Sequence, residues 1–174
     1  PEYEHLLGQM AEGDTVALEA LYNRTKSAVY GFALSIVKNP QEAEDIMQDT
    51  YIRLFQSAGG YRAQGKPMAW ILTIVRNLAL MRLRDGKKAA PPIDEMPTLS
   101  DGQDFTEGSI DRMVLRTALA HLSEEERQIV MLHSVAGLKH REIGEIMQIP
   151  LSTTLSKYRR ALAKLKNLIK EETA

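Results

Sequence analysis

Cysteine is absent from the 174 residues of this chain, which excludes disulfide bonds, cysteine–zinc sites and thiol catalysis. No apolar run approaches the ~20 residues that cross a bilayer, and the N-terminus lacks the pattern of a signal peptide, so we expect no membrane insertion. Aromatic residues are scarce, at 6%, and alternating runs of Val, Ile and Thr are missing. Apolar residues instead recur at helical spacing, which predicts an all-α protein.

The chain also lacks an excess of either charge, since its formal net charge is −1. A surface for nucleic acid must therefore arise from local segregation of basic residues. Such segregation is present: residues 157–170 contain six basic residues and no acid, and residues 76–88 contain five basic residues and one Asp. Two such clusters fit two phosphate contacts, although cations are also favoured near helix C-termini in proteins that bind no nucleic acid.

The apolar spacing predicts eight helices, over residues 2–11, 15–38, 41–57, 67–85, 109–121, 124–136, 140–147 and 152–171. Local signals support several of their ends. Asp14 is a suitable N-cap for the second helix, and Pro67 suits the first turn of the fourth. Ser123 with Glu126 forms a capping box for the helix over 124–136, and Gly137 is a suitable stop for the same helix.

A change of composition divides the chain. Residues 89–111 hold three of the seven prolines and six acidic residues, with no Lys or Arg. This composition is typical of a flexible linker. We therefore predict two small helical domains, over residues 1–88 and 109–174, joined by an acidic linker over 89–108.

The stretch "IGEIMQIPLSTTLSKYRRALAKL" (143–165) reads as a short helix, a break at Ile149-Pro150 and a longer basic helix. This is the pattern of a helix-turn-helix, whose second helix enters the DNA major groove. One stripe of the second helix is apolar with 4-3-4-3-4 spacing, and we expect it to pack on the helices predicted over 124–136 and 140–147. Its members are Leu151, Leu155, Tyr158, Leu162, Leu165 and Ile169.

A second stripe on the same helix is polar and begins at the helix N-terminus. Its members are Thr153, Ser156, Lys157, Arg160 and Lys164. Short hydrogen-bonding side chains suit base edges, and the cations beyond them suit phosphates. An amphipathic helix in an ordinary bundle is the alternative interpretation.

Three segments together carry a family resemblance: "QEAEDIMQDTYIRLFQ", "MAWILTIVRNLALMRLR" and "LSEEERQIVMLHSVAGLKHREIGEIMQIPLSTTLSKYRRALAKLK". In this order, with an acidic linker between the last two, they closely resemble the extracytoplasmic-function (ECF) sigma factors of bacterial RNA polymerase. The resemblance covers nearly the whole chain. It implies a cytoplasmic transcription initiation factor with sigma domains 2 and 4, which directs core polymerase to promoters by reading their minus-ten and minus-thirty-five elements.

The resemblance assigns three surfaces. Contact with core polymerase, through its β′ clamp and β flap, is implied with a docking face for the clamp at Asp45, Gln48, Asp49, Ile52 and Arg53. Minus-ten recognition, with capture of an unstacked base, is implied for Arg62, Lys66, Trp70, Arg76 and Asn77, although Trp70 also suits a plain core position. Minus-thirty-five recognition is implied for Ser152, Thr153, Ser156, Lys157, Arg160 and Lys164. An anti-sigma factor is a further implied partner.

Three positions depart from the family pattern. Met81 stands where an acidic residue is usual, and Gln148 stands where glycine is usual, which requires a left-handed or rearranged backbone. The family also commonly has an apolar β-branched residue at position 154 and a basic one at 155, whereas this chain has Thr154 and Leu155. Either Leu155 belongs to the buried stripe, which we expect from the spacing, or it contacts a thymine methyl group.

No catalytic constellation is found, and no glycine-rich phosphate loop, so we expect neither enzymatic activity nor a cofactor. His5, His121, His133 and His140 show no metal-ligand spacing, so no metal site is expected. Two other functions stay open. One is a free-standing helix-turn-helix regulator, which leaves the acidic third helix unexplained. The other is a sigma-like decoy for an anti-sigma factor, which does not need the basic residues from 157 onward.

Overall fold

The computed structural model describes residues 2–62, 65–86 and 119–173, except for the side chains of the last two residues. The chain separates into two compact units, Pro1–Ala90 and Pro91–Ala174. The described residues form helices and no strand, which confirms the all-α prediction. The linker predicted over 89–108 and most of the helix predicted over 109–121 lie outside the described residues, so the predicted domain limits stay a prediction.

The described part of the first unit contains four helices: α1 (Glu2–Ala11), α2 (Thr15–Val37), α3 (Pro40–Ser57) and α4 (Pro67–Asp85), with a 3-10 turn at Ala58–Gly60. Asp14 caps α2 as predicted, because its Oδ1 accepts from the Val16 amide at 2.9 Å. Asn39 caps α3, since its Oδ1 accepts from the Glu42 amide at 3.1 Å.

Helix α2 is the centre of the first unit. Every residue from 28 to 37 is buried, as expected of a helix that is apolar on all sides, and α1, α3 and α4 all pack against it. The buried hydroxyl of Thr25 is satisfied at 2.7 Å by both the Leu21 carbonyl oxygen and the Tyr51 hydroxyl. Burial raises the pKa of Tyr51, so this phenol is neutral and its proton is available for the hydrogen bond. The bundle therefore holds the outer faces of α3 and α4 in a fixed arrangement.

The second unit contains α5 (Glu124–Val130), α6 (His140–Met147) and α7 (Leu151–Thr173). The predicted capping box is confirmed: the Glu126 amide donates to Ser123 Oγ at 3.2 Å, and the Ser123 amide donates to Glu126 Oε1 at 2.9 Å. The helix predicted over 124–136 is not α-helical throughout, because Met131–Val135 forms a π-helical turn. Single π-helical turns of this kind are frequent at functional sites.

The buried face of α7 differs from the predicted apolar stripe. Thr154 and Ala161 are fully buried, whereas Leu151, Leu162 and Ile169 are 40% to 44% exposed. Leu155 is only partly buried. Of the six predicted members, Tyr158 and Leu165 do pack against the core of the second unit. The prediction that all six form the buried stripe is therefore wrong.

Close approach of α6 to α7 explains the difference. A Cβ atom at Gly144 would lie 3.1 Å from Thr154 Oγ1 and 3.0 Å from the Ile149 carbonyl oxygen. Only a small side chain fits on α7 at such a contact. The Thr154 hydroxyl remains satisfied, since it donates to the Pro150 carbonyl oxygen at 3.0 Å. Size at the helix contact thus decides the register of α7, and hydrophobic periodicity does not.

Candidate nucleic-acid and polymerase interfaces

The turn between α6 and α7 has the geometry of a helix-turn-helix. Gln148 adopts the left-handed conformation at φ 58° and ψ 44°, which confirms the expectation from its place in the sequence. The Ile149 amide closes the turn by donating to the Gly144 carbonyl oxygen at 3.0 Å. Pro150 then precedes the first residue of α7. This turn fixes the direction in which α7 leaves α6.

The outward face of α7 can be located from its buried face. With about 100° per residue, the side chains opposite Thr154 and Ala161 are those of Ser152, Ser156 and Arg159, and all three are exposed. Arg160 flanks this face on one side and Leu155 on the other. We call Ser152, Leu155, Ser156, Arg159 and Arg160 the outward face of α7. Arg159 was not among the predicted contacts, because the predicted stripe was centred elsewhere on the helix.

Two of the predicted DNA-contacting lysines already have carboxylate partners on α5. Lys157 Nζ lies 2.8 Å from Glu125 Oε2, and Lys164 Nζ lies 2.7 Å from Glu126 Oε1. Glu126 is only 5% exposed. Burial would raise its pKa, but hydrogen bonds from Lys164 and Ser123 outweigh burial and hold the pKa below its usual value. Lys164 therefore neutralises a nearly buried charge. Thr153, which was also predicted to contact DNA, is partly buried on the same side of α7 as these lysines.

Three aromatic rings meet between the elements of the second unit. The imidazoles of His133 and His140 stack with their centroids 4.4 Å apart, and the Tyr158 ring lies 4.8 Å from the first and 4.6 Å from the second. Nδ1 of His133 lies 2.8 Å from the Leu138 carbonyl oxygen. Nδ1 of His140 is buried and has no hydrogen-bond partner among the described residues.

Burial lowers the pKa of His140, and the neighbouring imidazole lowers it further. The two histidines are seven residues apart, a spacing that does not predict the stacking of their rings. Gly137, the predicted helix stop between them, has a φ of 75° and turns the chain there. Within the described ranges no group of three or more metal-ligating side chains is found.

The predicted minus-ten residues divide over two sides of α4. Trp70 is partly buried and lies 5.0 Å from the Tyr61 ring, centroid to centroid. Asn77 is exposed and lies on the same side of α4 as Trp70, since they are seven residues apart. Arg76 lies about 120° away from Trp70 around the helix. The structure therefore brings Trp70 and Asn77 together on one face and leaves Arg76 off it.

The connection before α4 is held by a residue that the sequence analysis missed. Oε1 of Glu4 accepts from the Tyr61 hydroxyl at 2.9 Å and from the Gly65 amide at 2.8 Å. Helix α1 thus positions the segment that carries Arg62 and Lys66, both of them exposed. The two contacts of Glu4 span 57 and 61 positions of the chain. Contacts at such separations leave no periodic signal in the sequence.

The predicted clamp-docking residues lie on the outer face of α3. Gln48, Asp49, Ile52 and Arg53 are exposed and Asp45 is partly exposed. Ile52 is 56% exposed among these polar and charged side chains, although a single exposed apolar residue is ordinary on a protein surface.

The acidic part of this face has an internal counter-ion, which the sequence analysis missed. Arg82 of α4 lies 3.4 Å from Asp45 Oδ2 and 3.9 Å from Asp49 Oδ2. All three side chains are substantially exposed, so these pairs contribute at most about 1 kcal/mol each to stability. Both carboxylates thus stay accessible to a cationic partner.

Over the described parts of both units, we find no helix that combines the length and the apolarity needed to span a bilayer.

Comparison with known proteins identifies both units. The family model for Sigma-70 region 2 matches residues 21–89, and the one for Sigma-70, region 4 matches residues 112–165. The ECF RNA polymerase sigma factor SigK of Mycobacterium sp. (strain KMS) is 32% identical over 177 residues, covering 94% of this chain and 89% of the relative. Its counterpart in Mycobacterium bovis (strain BCG / Pasteur 1173P2) is 27% identical, covering 97% of this chain and 94% of the relative.

Two solved structures share the fold. CnrH in complex with the cytosolic domain of CnrY matches with a TM-score of 0.68 at 18% identity, covering 98% of this chain and 99% of that one. The sigma factor RpoE in complex with the anti-sigma factor NepR, from Bartonella quintana, matches with a TM-score of 0.68 at 23% identity, covering 87% and 96%. At these identities the two structures support the fold alone.

Proposed function

We propose a division of labour between the two units, from the premise that this chain belongs to the extracytoplasmic-function sigma factors, the promoter-specific initiation factors of bacterial RNA polymerase. In this proposal the first unit docks on the polymerase and reads the minus-ten element. The second unit reads the minus-thirty-five element. The observation that carries the proposal is the outward face of α7, which points directly away from the packed face and belongs to a stretch without an acidic residue from 151 to 170.

For the upstream element, α7 lies in the major groove with its N-terminal turns against the bases. Ser152 and Ser156 present short hydroxyls to base edges. Arg160, at the border of this face, reaches a guanine edge or a phosphate. Lys157 and Lys164 reach phosphates only by leaving their carboxylates on α5, so we place them as secondary contacts, with Thr153 beside them.

For the polymerase, the outer face of α3 docks on the β′ clamp, and contact with the β flap completes the attachment. Asp45 and Asp49 supply the negative charge, with Gln48 and Arg53 around them, and Ile52 supplies an apolar anchor. Interfaces commonly owe most of their affinity to a few such anchors. Arg82 keeps the two carboxylates in place until a polymerase cation replaces it.

For the minus-ten element, the exposed side of α4 and the segment before it bind the opened strand. Trp70 and Asn77 form the core of this surface, because they share one side of the helix. Arg62 and Lys66 attract phosphates, and Arg76 contacts the strand from the neighbouring side. Stacking and pocket contacts on the single strand offset the few kcal/mol that unstacking a base costs.

The proposal extends to location and partners. Because its partners are polymerase and DNA, we place the chain in the cytoplasm, without catalytic activity of its own and with domain limits at 1–88, 89–108 and 109–174. We also propose that an anti-sigma factor regulates it, since the fold is shared with RpoE in complex with the anti-sigma factor NepR.

Transcription by core polymerase on a promoter library tests the proposal. The full chain should let core polymerase initiate at promoters with one preferred pair of elements. A sigma-like decoy would bind an anti-sigma factor but start no transcription. A free-standing regulator would instead bind duplex DNA without the polymerase. Either result would overturn the proposed function.

A further inference from the structure

We propose that Leu155 is a specificity-determining residue that selects thymine at one position of the upstream promoter element, by contact with the 5-methyl group in the major groove. This inference rests on the proposed function of α7. It goes beyond it by naming the base and the chemical group that one side chain recognises.

The first step is the position of Leu155 relative to the core. Its neighbour Thr154 is fully buried against α6, and this contact fixes the rotation of α7. Leu155, one residue further, is therefore carried out of the core and remains partly exposed. Leu155 thus lies at the border of the outward face with part of its side chain exposed.

The second step concerns the side chains that neighbour Leu155 on α7. Leu151 lies one turn before it and Arg159 one turn after it, and both are exposed. Ser152 and Ser156 occupy the middle of the same face. The Ser156 hydroxyl donates to the Ser152 carbonyl oxygen at 2.9 Å, a bond that it can exchange for a base edge by rotating. The face thus combines an apolar border with hydroxyls and a cation.

The third step is the chemistry of the groove. Among the four bases only thymine displays a methyl group in the major groove, and apolar side chains recognise it by contact. Leucine has no donor or acceptor, so it leaves the polar edges of cytosine, adenine or guanine without a partner when it covers them. A leucine at this place therefore favours thymine over every other base.

The occupant is duplex DNA and not an apolar segment of a protein, for two reasons. Leu155 lies in the second turn of α7, within the part of a recognition helix that meets base edges. The stretch around it has positive charges at Arg159 and Arg160 and no acid from 151 to 170, which complements phosphates.

The test removes the 5-methyl group of thymine from the DNA and the isopropyl group of Leu155 from the protein. The full chain, assembled with core polymerase, first selects its upstream element from a random library. Each thymine of that element is then replaced singly by deoxyuridine, which lacks only the 5-methyl group. We expect one replacement to weaken binding about three- to fivefold, the effect of exposing one buried methyl group. In Leu155→Ala the same replacement should have no effect.

Leu162→Ala is the matched control, because Leu162 is an exposed leucine on the same helix, two turns further on. It should retain the sensitivity to deoxyuridine. Leu155→Arg should shift the preference at that position from thymine to guanine. Thermal melts of all variants verify that the second unit is folded.

Two results overturn the inference while leaving the proposed function intact. One is a selected element in which no thymine is sensitive to deoxyuridine. The other is a Leu155→Ala variant that loses as much affinity on deoxyuridine replacement as the wild type, which would show that another group contacts the methyl. If the wild-type complex selects no upstream sequence at all, the proposed function of α7 and the inference fail together.

Discussion

Replacement of Gly144 by alanine tests the contact that sets the register of α7. A Cβ atom at this position would lie 3.0 Å from the Ile149 carbonyl oxygen and 3.1 Å from Thr154 Oγ1. Both neighbours are held in place: the Ile149 amide donates to the Gly144 carbonyl oxygen, and the Thr154 hydroxyl donates to the Pro150 carbonyl oxygen, each at 3.0 Å. The added methyl group must therefore move α7 away from α6.

Two effects of opposite sign set the magnitude. Alanine is favoured over glycine inside a helix by about 0.5–1 kcal/mol. Insertion of a methyl group against fixed neighbours costs about 1–3 kcal/mol. The two ranges combine to a net loss of about 0–2.5 kcal/mol. Because both neighbours are held by hydrogen bonds, we expect Gly144→Ala to lower the free energy of unfolding of the second unit by about 1–2 kcal/mol within that range, with about 4–8 °C of melting temperature lost per kcal/mol.

The assay is thermal unfolding of the full chain, with amide hydrogen exchange along α7 to assign the loss to the second unit. Gly8→Ala is the control, because an added Cβ atom there meets nothing within 4 Å, so helix propensity alone should stabilise α1 slightly. Thr154→Ala in the Gly144→Ala background should recover part of the loss, since it removes one of the two close atoms. A Gly144→Ala protein as stable as the wild type would refute the packing argument.

Three further predictions concern groups that the structure brings together. The lowered pKa of His140 means that the folded state binds this proton more weakly than the unfolded chain. The second unit should therefore be most stable above about pH 6.5 and lose stability as the pH falls below it, measured by thermal melts. Charge reversal of both Asp45 and Asp49 to Lys should abolish binding to core polymerase in a pull-down, since the proposed docking face would lose its negative charge and become cationic. Arg160→Ala should change the selected upstream sequence, with a cost of about 1–3 kcal/mol if the contact is bidentate, whereas Lys164→Ala should lower the melting temperature without changing that sequence.

Each of these has a control or a contrary outcome. His140→Phe should flatten the pH dependence, and an unchanged slope in this variant would place its origin elsewhere. Glu12→Lys reverses an exposed charge outside the predicted docking face, so it should leave polymerase binding intact. A Lys164→Ala variant that melts like the wild type but shows a smaller salt dependence of DNA binding would make this lysine a phosphate contact.

The elements and caps of this fold follow from local sequence signals, whereas the register of α7 does not. Asp14, the Ser123–Glu126 pair and Gln148 each have the local role that the sequence predicts, because capping and turn geometry depend on residues only a few positions apart. The burial of Thr154 depends on the lack of a side chain at Gly144, on another helix. The contact of Glu4 with Tyr61 likewise depends on tertiary structure.

The candidate surfaces follow the same division. The residues predicted for polymerase contact share the outer face of α3, since one helix and one periodicity place them there. The predicted minus-ten residues come from a helix and an irregular segment, and only some of them share a side. The stacked pair of His133 and His140 was missed because the turn at Gly137, and not the spacing of seven residues, brings the rings together.

The register of α7 changes which chemistry is available to read DNA. The buried face is rotated by roughly 60° from the predicted apolar stripe. This rotation turns Lys157 and Lys164 toward the carboxylates of α5, where they stabilise the unit. It also carries Leu155 and Arg159 onto the outward face of α7.

In the proposed function, the apolar border of this face reads a methyl group and the two serines read polar base edges, while Arg160 reaches a guanine edge or a phosphate and Arg159 adds electrostatic attraction that does not depend on sequence. If α7 reads DNA as proposed, the same contact at Gly144 that decides the packing of the second unit also decides which bases α7 can distinguish. A change of promoter preference in Gly144→Ala, with every residue of the outward face unaltered, is the result that this coupling requires.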